Sequence, residues 1–147
     1  MENKTSKLTL TALVLLASTI SLHAHAVKKV TISSVGETMT FDKASFDAKA
    51  GEEIQLTLKN NSTTLEHNWV HTQPGKDQEV ASAGIAAGAS KNWLDETHPG
   101  VIAYTAMIKP KKSETIKFKA PAAKGDYPYV CTFPGHNTMM TGTLKVK

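Results

Sequence analysis

The sequence predicts an all-β domain, a Greek-key β-sandwich that carries one small, partly helical flap. Short segments alternate apolar and polar side chains with the two-residue period of half-buried strands. Turn-forming residues separate these segments, and the chain lacks the strand–helix alternation that is typical of parallel α/β sheets. Residues 76–100 are the exception, because they are rich in Ala, Gly and Ser and carry no strand pattern.

Seven or eight strands in an antiparallel arrangement are predicted. The clearest strand places Ile54, Leu56 and Leu58 on one face, and residues 60–62 end it because short polar side chains favour turns. The other predicted strands cover residues 27–34, 67–72, 101–108, 114–119, 127–131 and 143–146, with an extended segment at 39–41 and a lead into a turn at 46–49.

The flap, residues 76–100, is predicted to contain a short helix near residues 77–83. A loop of this length without secondary structure is uncommon in a compact domain. The turn sequence His-Pro-Gly at residues 98–100 closes the flap. We expect the side chain of His98 to be solvated in that turn.

The N-terminal segment has the layout of a secretory signal peptide. Lys4 and Lys7 precede a mainly apolar run at residues 8–22, and an A-x-A cleavage signal follows at residues 24–26. The apolar run is interrupted by Ser and Thr and is short for a membrane anchor, which needs about 20 apolar residues. The sequence therefore predicts that residues 1–26 are removed on export.

Residues 27–147 are predicted to form a single domain, long enough to enclose its own hydrophobic core. Loss of Glu2, Lys4 and Lys7 changes the formal net charge from +4 to +3 (4 − 2 + 1). The remaining lysines are scattered among acidic residues, which argues against the basic stripe of a nucleic-acid-binding protein. We expect a monomer in the periplasm without stable membrane insertion.

The chemistry is concentrated in residues 131–140, where a Cys, a His and a Met surround a Pro-Gly turn. A thiolate, two imidazoles and a weak, distant thioether are the ligands of copper in electron-transfer sites. Cys131, His136 and Met140 supply three of these donors, and His67 is the best candidate for the second imidazole. The fold must then bring His67 to this loop across 64 positions (131 − 67).

Other residues compete for these roles. His71 lies four positions beyond His67, about 13 Å along an extended strand, so the two cannot bind one ion without a bulge. Met139 directly precedes Met140 and is expected to point the other way. A lone strand His or a lone buried Cys is more often structural, and only the combination of four donors favours a metal. Since the chain has one Cys, burial or metal binding must protect the thiol from oxidation.

Two stretches closely resemble the signature segments of azurin, namely residues 66–70 (EHNWV) and residues 129–144 (YVCTFPGHNTMMTGTL). Residues 101–107 (VIAYTAM) are similar to the corresponding stretch of azurin and auracyanin. By these motifs the chain is identified as a small blue copper protein of the cupredoxin family. Two features depart from azurin: a single Cys excludes the usual disulfide, and Glu66 replaces a Gly whose carbonyl approaches the metal.

The resemblance implies a cupredoxin-like sandwich with one type 1 copper ion near one pole. It implies His67, Cys131 and His136 as equatorial ligands and Met140 as the weak axial ligand. It further implies that Asn68 ties the two ligand-bearing segments together, with its backbone N–H directed at the sulfur of Cys131.

The expected function is one-electron carriage in the periplasm, with copper alternating between Cu(I) and Cu(II), and no enzymatic activity is expected. The solvent-side edge of His136, ringed by Phe133, Pro134 and Met139, is the expected electron port. Redox proteins such as a c-type cytochrome or a copper oxidoreductase are the expected partners, docking briefly over this small apolar patch.

Three other functions compete with electron carriage. Copper storage or delivery is the main alternative, although such sites exchange metal through exposed thiols or Met-rich tracts. In multicopper oxidases His residues flank the thiolate, whereas Val130 and Thr132 flank Cys131 in this chain. A cysteine hydrolase using Cys131 and His136 would have no need for the other two donors.

Overall fold

Eight strands, one α-helix and a short 3-10 helix make up the part of the chain that the computed structural model describes, residues 26–147. The predicted signal peptide, residues 1–26, lies outside the described residues except for its last position. The elements are β1 (Lys28–Ser33), β2 (Ser45–Ala48), β3 (Glu53–Lys59), β4 (Val70–Thr72), α1 (Asp77–Ala87), β5 (Val101–Tyr104), β6 (Ser113–Lys119), β7 (Gly125–Val130) and β8 (Thr141–Val146).

The strands form two sheets, which confirms the predicted all-β sandwich. One sheet has the order β1-β3-β6, and the other has the order β2-β8-β7-β4-β5. Strands that are neighbours in a sheet are often distant in sequence, as in Greek-key connections. The inner faces of both sheets pack around buried aliphatic and aromatic side chains, including Leu56, Trp69, Tyr129 and Leu144.

The prediction of a purely antiparallel arrangement is wrong for two strand pairs. Strand β1 runs parallel to β3, and β2 runs parallel to β8. Between β1 and β3 the chain crosses to the other sheet to form β2 and then returns, so β3 enters its sheet in the same direction as β1. Apolar alternation marks a strand and its buried face, but it carries no information about the direction of the neighbouring strand.

The predicted strand at residues 67–72 is interrupted before its regular part, β4. The Oγ1 atom of Thr105 accepts a hydrogen bond from the N–H of Trp69 (3.0 Å), and the N–H of Thr105 donates to the carbonyl of Trp69 (2.9 Å). His67 pairs with Ile108 in an isolated β-bridge, with N···O distances of 3.2 and 2.8 Å. His67 is therefore fixed to the body of the sandwich through both its N–H and its carbonyl group.

The flap contains the predicted helix, which is longer than expected. Helix α1 covers Asp77–Ala87, four residues beyond the predicted end at 83, and stops at Gly88, whose φ is 79°. The additional residues include two alanines, which favour the helical state. No helix within residues 26–147 is long and apolar enough to cross a membrane.

His98 is less exposed than predicted. Its side chain is only 14% exposed because the end of the flap folds over helix α1. Its Nδ1 atom accepts a hydrogen bond from the N–H of Gly100 (3.0 Å), so Nε2 carries the proton and faces a carboxylate oxygen of Glu79 at 3.4 Å. His98 closes the flap and takes no part in the group of metal-binding donors.

His71 is a structural core residue. Its ring is fully buried and stacks on Trp69 at a centroid distance of 5.5 Å. Its Nδ1–H donates to the carbonyl of Pro128 (3.2 Å), whereas Nε2 finds no hydrogen-bond partner among the described residues. Burial lowers the pKa of His71 from 6.5 to about 4, and the bond to Pro128 opposes this shift only in part.

The depressed pKa of His71 predicts a stability that depends on pH. The unfolded chain takes up this proton below about pH 6.5 and the folded protein only below about pH 4, so stability is lost as the pH falls through this window. In His71→Gln the neutral amide can still donate to Pro128 and cannot titrate. At about pH 4.5 the metal-free variant should therefore retain about 2.5 kcal/mol of unfolding free energy that the metal-free wild type has lost.

Urea denaturation of both metal-free proteins at about pH 7.5 and at about pH 4.5 measures this difference. Equal losses of unfolding free energy in the two proteins would show that His71 titrates in the folded protein at its ordinary pKa of 6.5 and that burial imposes no shift.

Candidate metal centre

Three donor atoms converge at one end of the sandwich. The sulfur of Cys131 lies 3.6 Å from Nδ1 of His136 and 4.0 Å from Nδ1 of His67, and the three atoms all lie within 4.8 Å of one another. All three side chains are buried. The structure thus brings together the three residues that the sequence motif indicated as equatorial ligands.

The spacing of these donors fits a metal ion. First-row ions such as zinc bind sulfur at about 2.3 Å and imidazole nitrogen at about 2.0 Å, which places S and N about 3.7 Å apart in a trigonal site. The two observed S···N distances, 3.6 and 4.0 Å, lie on either side of this value. A trigonal Cys-His-His set with a thioether nearby is the donor chemistry of electron-transfer copper.

The loop at residues 131–140, here called the ligand loop, is folded by its own backbone. The N–H of His136 donates to the carbonyl of Phe133 (3.0 Å) across the Pro-Gly turn, and Gly135 adopts a φ of 83° that only glycine reaches without strain. The N–H of Cys131 donates to the carbonyl of Met140 (3.0 Å), which closes the loop at its base. These bonds direct Cys131 and His136 toward the same point.

The two methionines of the ligand loop have different environments. Met140 is fully buried in the same core cluster as Cys131, whereas Met139 is 55% exposed. Met140 thus shares the interior with the donor Cys131, and its role as the axial ligand stays a prediction.

Asn68 joins the two segments that carry the donors. Its Oδ1 accepts from the N–H of Thr132 and its Nδ2 donates to the hydroxyl of Thr132, both at 2.8 Å. The backbone N–H groups of Asn68 and Phe133 also donate to the sulfur of Cys131, which favours the thiolate. The predicted tie between the segments is therefore confirmed. The hydroxyl of Thr132 in turn donates to the carbonyl of Trp93 in the flap (2.6 Å).

Comparison with known proteins agrees with this geometry. A family model described as copper binding proteins of the plastocyanin/azurin family matches residues 28–147. The chain belongs to this family.

Named relatives support the assignment. Auracyanin-A of Chloroflexus aurantiacus is 36% identical over 119 residues, which cover 80% of this chain and 73% of the relative. Azurin of Pseudomonas fluorescens biotype C is 35% identical over 126 residues, covering 81% and 98% of the two chains. Among solved structures, auracyanin from Roseiflexus castenholzii aligns with a TM-score of 0.77 at 37% identity, over 82% of this chain and 97% of that one.

Membership of this cupredoxin family identifies copper as the metal that the donor cluster binds. The arrangement of His67, Cys131, His136 and Met140 is typical of a single type 1 copper site. It implies electron transfer through a bound copper ion. Cys131 is buried and is the only Cys of the chain, so this cupredoxin contains no internal disulfide.

Burial sets the protonation states of the donors in the metal-free cupredoxin. It lowers the pKa of His67 from 6.5 to about 4, with a smaller contribution from His136, and it lowers the pKa of His136 as well. Burial raises the pKa of the Cys131 thiol to about 11. At neutral pH both imidazoles are therefore neutral and ready to bind, whereas the thiol must lose its proton when a metal arrives.

Glu37 supports the segment before His67, a role that sequence reasoning missed. Its carboxylate accepts hydrogen bonds from Ser62, Thr63 and Thr64, and these bonds hold its pKa well below the usual range. The short polar side chains of residues 60–62 predicted a turn, but they did not reveal that Ser62 bonds an acceptor 25 positions away. Glu37 thus fixes the polar turn that leads into the ligand segment.

These protonation states predict the proton release that accompanies metal binding. Between about pH 7 and pH 9 each bound ion should release about one proton, from the Cys131 thiol, so metal affinity should rise about tenfold per pH unit. Calorimetric titration with zinc in two buffers of different ionisation enthalpy measures the proton count. Cys131→Ser serves as the control and should release none, while a release of two or three protons by the wild type would mean that the histidines are charged before binding.

Proposed function

We propose that this protein is a periplasmic one-electron carrier that moves electrons between redox proteins. His67, Cys131 and His136 would hold a single copper ion, and Met140 would be its weak fourth ligand. The observation that carries the proposal is the buried triangle formed by one sulfur and two nitrogens at bonding separation from a common centre. The signal-like layout of residues 1–26 supports export to the periplasm.

Copper, when bound, supplies the one-electron couple, and the protein supplies a constant environment for it. His67 is held by its bridge to Ile108, and Cys131 by the bonds at the base of the ligand loop. Asn68 and Thr132 couple the two segments. Donors that are placed before the metal arrives need little rearrangement when the charge of the site changes, which favours rapid electron transfer.

His136 is the ligand nearest to solvent. It is 3% exposed, whereas His67 is 0% exposed. The ring of Phe133 packs against it at a centroid distance of 4.7 Å, and the exposed Met139 extends the apolar surface around it. Together with Pro134 these side chains form a small apolar port, suited to brief docking of a partner such as a c-type cytochrome or a copper oxidoreductase.

Copper storage or delivery is the alternative, and the burial of the site argues against it. A delivery protein must present its thiol to the receiving protein, but Cys131 is 0% exposed. Repeated electrochemical cycling in the presence of a Cu(I) chelator separates the two functions. A carrier retains its copper, and a delivery protein loses it.

The direct test of the proposed function is the visible and electron paramagnetic resonance spectrum of the copper-loaded protein. We expect an intense blue band and narrow copper hyperfine splitting, because both arise from a copper–thiolate bond. Cys131→Ser should fold and remain colourless. A colourless wild-type adduct would remove the proposal, and a blue Cys131→Ser variant would assign the chromophore elsewhere.

The axial role of Met140 predicts a shift in reduction potential. In Met140→Leu the loss of a weak donor disfavours Cu(II), so the reduction potential should rise. The rise should be about 59 mV for each tenfold decrease in the affinity of the site for Cu(II) relative to Cu(I). Met139→Leu is the matched control and should leave the potential unchanged, because Met139 points into solvent. Voltammetry measures both, and a shift confined to Met139→Leu would reverse the assignment.

The location of the port predicts the behaviour of Met139→Lys. A charge introduced beside His136 would be desolvated without a partner in the encounter complex. The variant should therefore keep its blue spectrum while its electron self-exchange slows, as measured by NMR line broadening. An unchanged self-exchange rate would move the electron port to another face of the protein.

A further inference from the structure

The flap contacts the ligand loop on both sides of His136. On one side, Gln78 of helix α1 and Asn137 form a reciprocal pair of amide hydrogen bonds. Nε2 of Gln78 donates to the carbonyl of Asn137 (3.1 Å), and Nδ2 of Asn137 donates to Oε1 of Gln78 (2.7 Å). Because two bonds in opposite directions fix both distance and orientation, the residue directly after His136 cannot move independently of the helix.

On the other side, Trp93 makes two contacts with the ligand loop. Its carbonyl accepts the hydrogen bond from Thr132 (2.6 Å). Its ring meets the ring of Phe133 edge to face at a centroid distance of 6.1 Å, and Phe133 packs against His136 at 4.7 Å. Both spacings fall in the range that aromatic pairs prefer. The ring of Phe133 thus contacts both the imidazole of His136 and the ring of Trp93 in the flap.

Trp93 reaches this position in an unfavourable backbone conformation. Asn92 and Trp93 have φ values of 53° and 56°, a left-handed conformation that non-glycine residues adopt uncommonly. Gly84 of helix α1 permits the arrangement, because a Cβ atom at that position would lie 2.2 Å from the carbonyl oxygen of Trp93. Such conformations persist where surrounding contacts determine them, and they cluster at functional sites.

We propose that the flap is a clamp for one copper ligand, with Gln78 and Trp93 as positioning residues that hold His136 in a single orientation. The inference rests on the proposed function, since it requires His136 to bind the copper. His67 has separate support, because it bridges to Ile108 in the body of the sandwich. Loosening the flap should therefore free His136 and leave His67 unaffected.

The first experiment measures local opening of the ligand loop by amide hydrogen exchange in the Cu(I) protein and in the metal-free protein. The amides of His136 and Met140 report on the loop, and the amide of His67, bonded to Ile108, is the internal reference. In Gln78→Ala the two loop amides should exchange about tenfold faster, since two neutral hydrogen bonds to the loop are lost. The reference amide should not change.

Two further variants show whether the amide pair itself is responsible. Asn137→Ala should produce the same increase as Gln78→Ala, and the double variant should produce no more than either, because each single change already breaks the pair. Ser82→Ala is the matched control on the same helix, since the exposed Ser82 donates its hydroxyl to the backbone carbonyl of Gln78 within the helix (2.8 Å). Unchanged exchange at His136 and Met140 in Gln78→Ala, or an equal increase in Ser82→Ala, would overturn the clamp.

The aromatic side of the clamp is tested by electron paramagnetic resonance and self-exchange. Trp93→Leu should broaden the distribution of copper hyperfine splittings and slow self-exchange several-fold, and Trp93→Phe should restore both. An unchanged spectrum in Trp93→Leu would exclude the aromatic contact as a positioning element. If the copper-loaded wild type is not blue, the proposed function is wrong. If it is blue but amide exchange in the ligand loop does not change in Gln78→Ala, only the clamp is contradicted.

Discussion

The metal centre depends on the double hydrogen bond between Asn68 and Thr132, residues that lie 64 positions apart. Both residues are buried, so separating them would leave the side-chain amide of Asn68 and the N–H of Thr132 without these partners, at a cost of about 1–3 kcal/mol for each group. The pair therefore forms as the two segments come together. Because His67 precedes Asn68 and Cys131 precedes Thr132, this hydrogen-bonded pair also holds the imidazole of His67 close to the thiol of Cys131.

The donors are supported by different parts of the molecule. His67 belongs to the body, where the bridge to Ile108 fixes its backbone and Glu37 orders the turn before it. His136 belongs to a loop whose tight turn and contacts with the flap hold it near the surface. Burial keeps both imidazoles neutral and the thiol protonated, so in the absence of a metal the three donors carry no net charge.

Much of this protein follows from local sequence. The two-residue alternation of Ile54, Leu56 and Leu58 is enough to define β3, because successive side chains of a strand point to opposite faces of the sheet. The donor set of the ligand loop is equally local, since a Pro-Gly turn brings Cys131 and His136 within reach of one another whatever surrounds them. These features depend on residues a few positions apart, and their patterns are therefore visible in the sequence alone.

Only the tertiary structure decided the features that join distant segments. The parallel pairing of β1 with β3, the burial of His98 and the contacts of Glu37 and Gln78 connect residues that share no periodic pattern. A hydrogen bond between side chains 25 or 59 positions apart depends on the path of the chain between them. Sequence chemistry determined which atoms could bind copper, and the path of the chain determined which distant contacts support each of them.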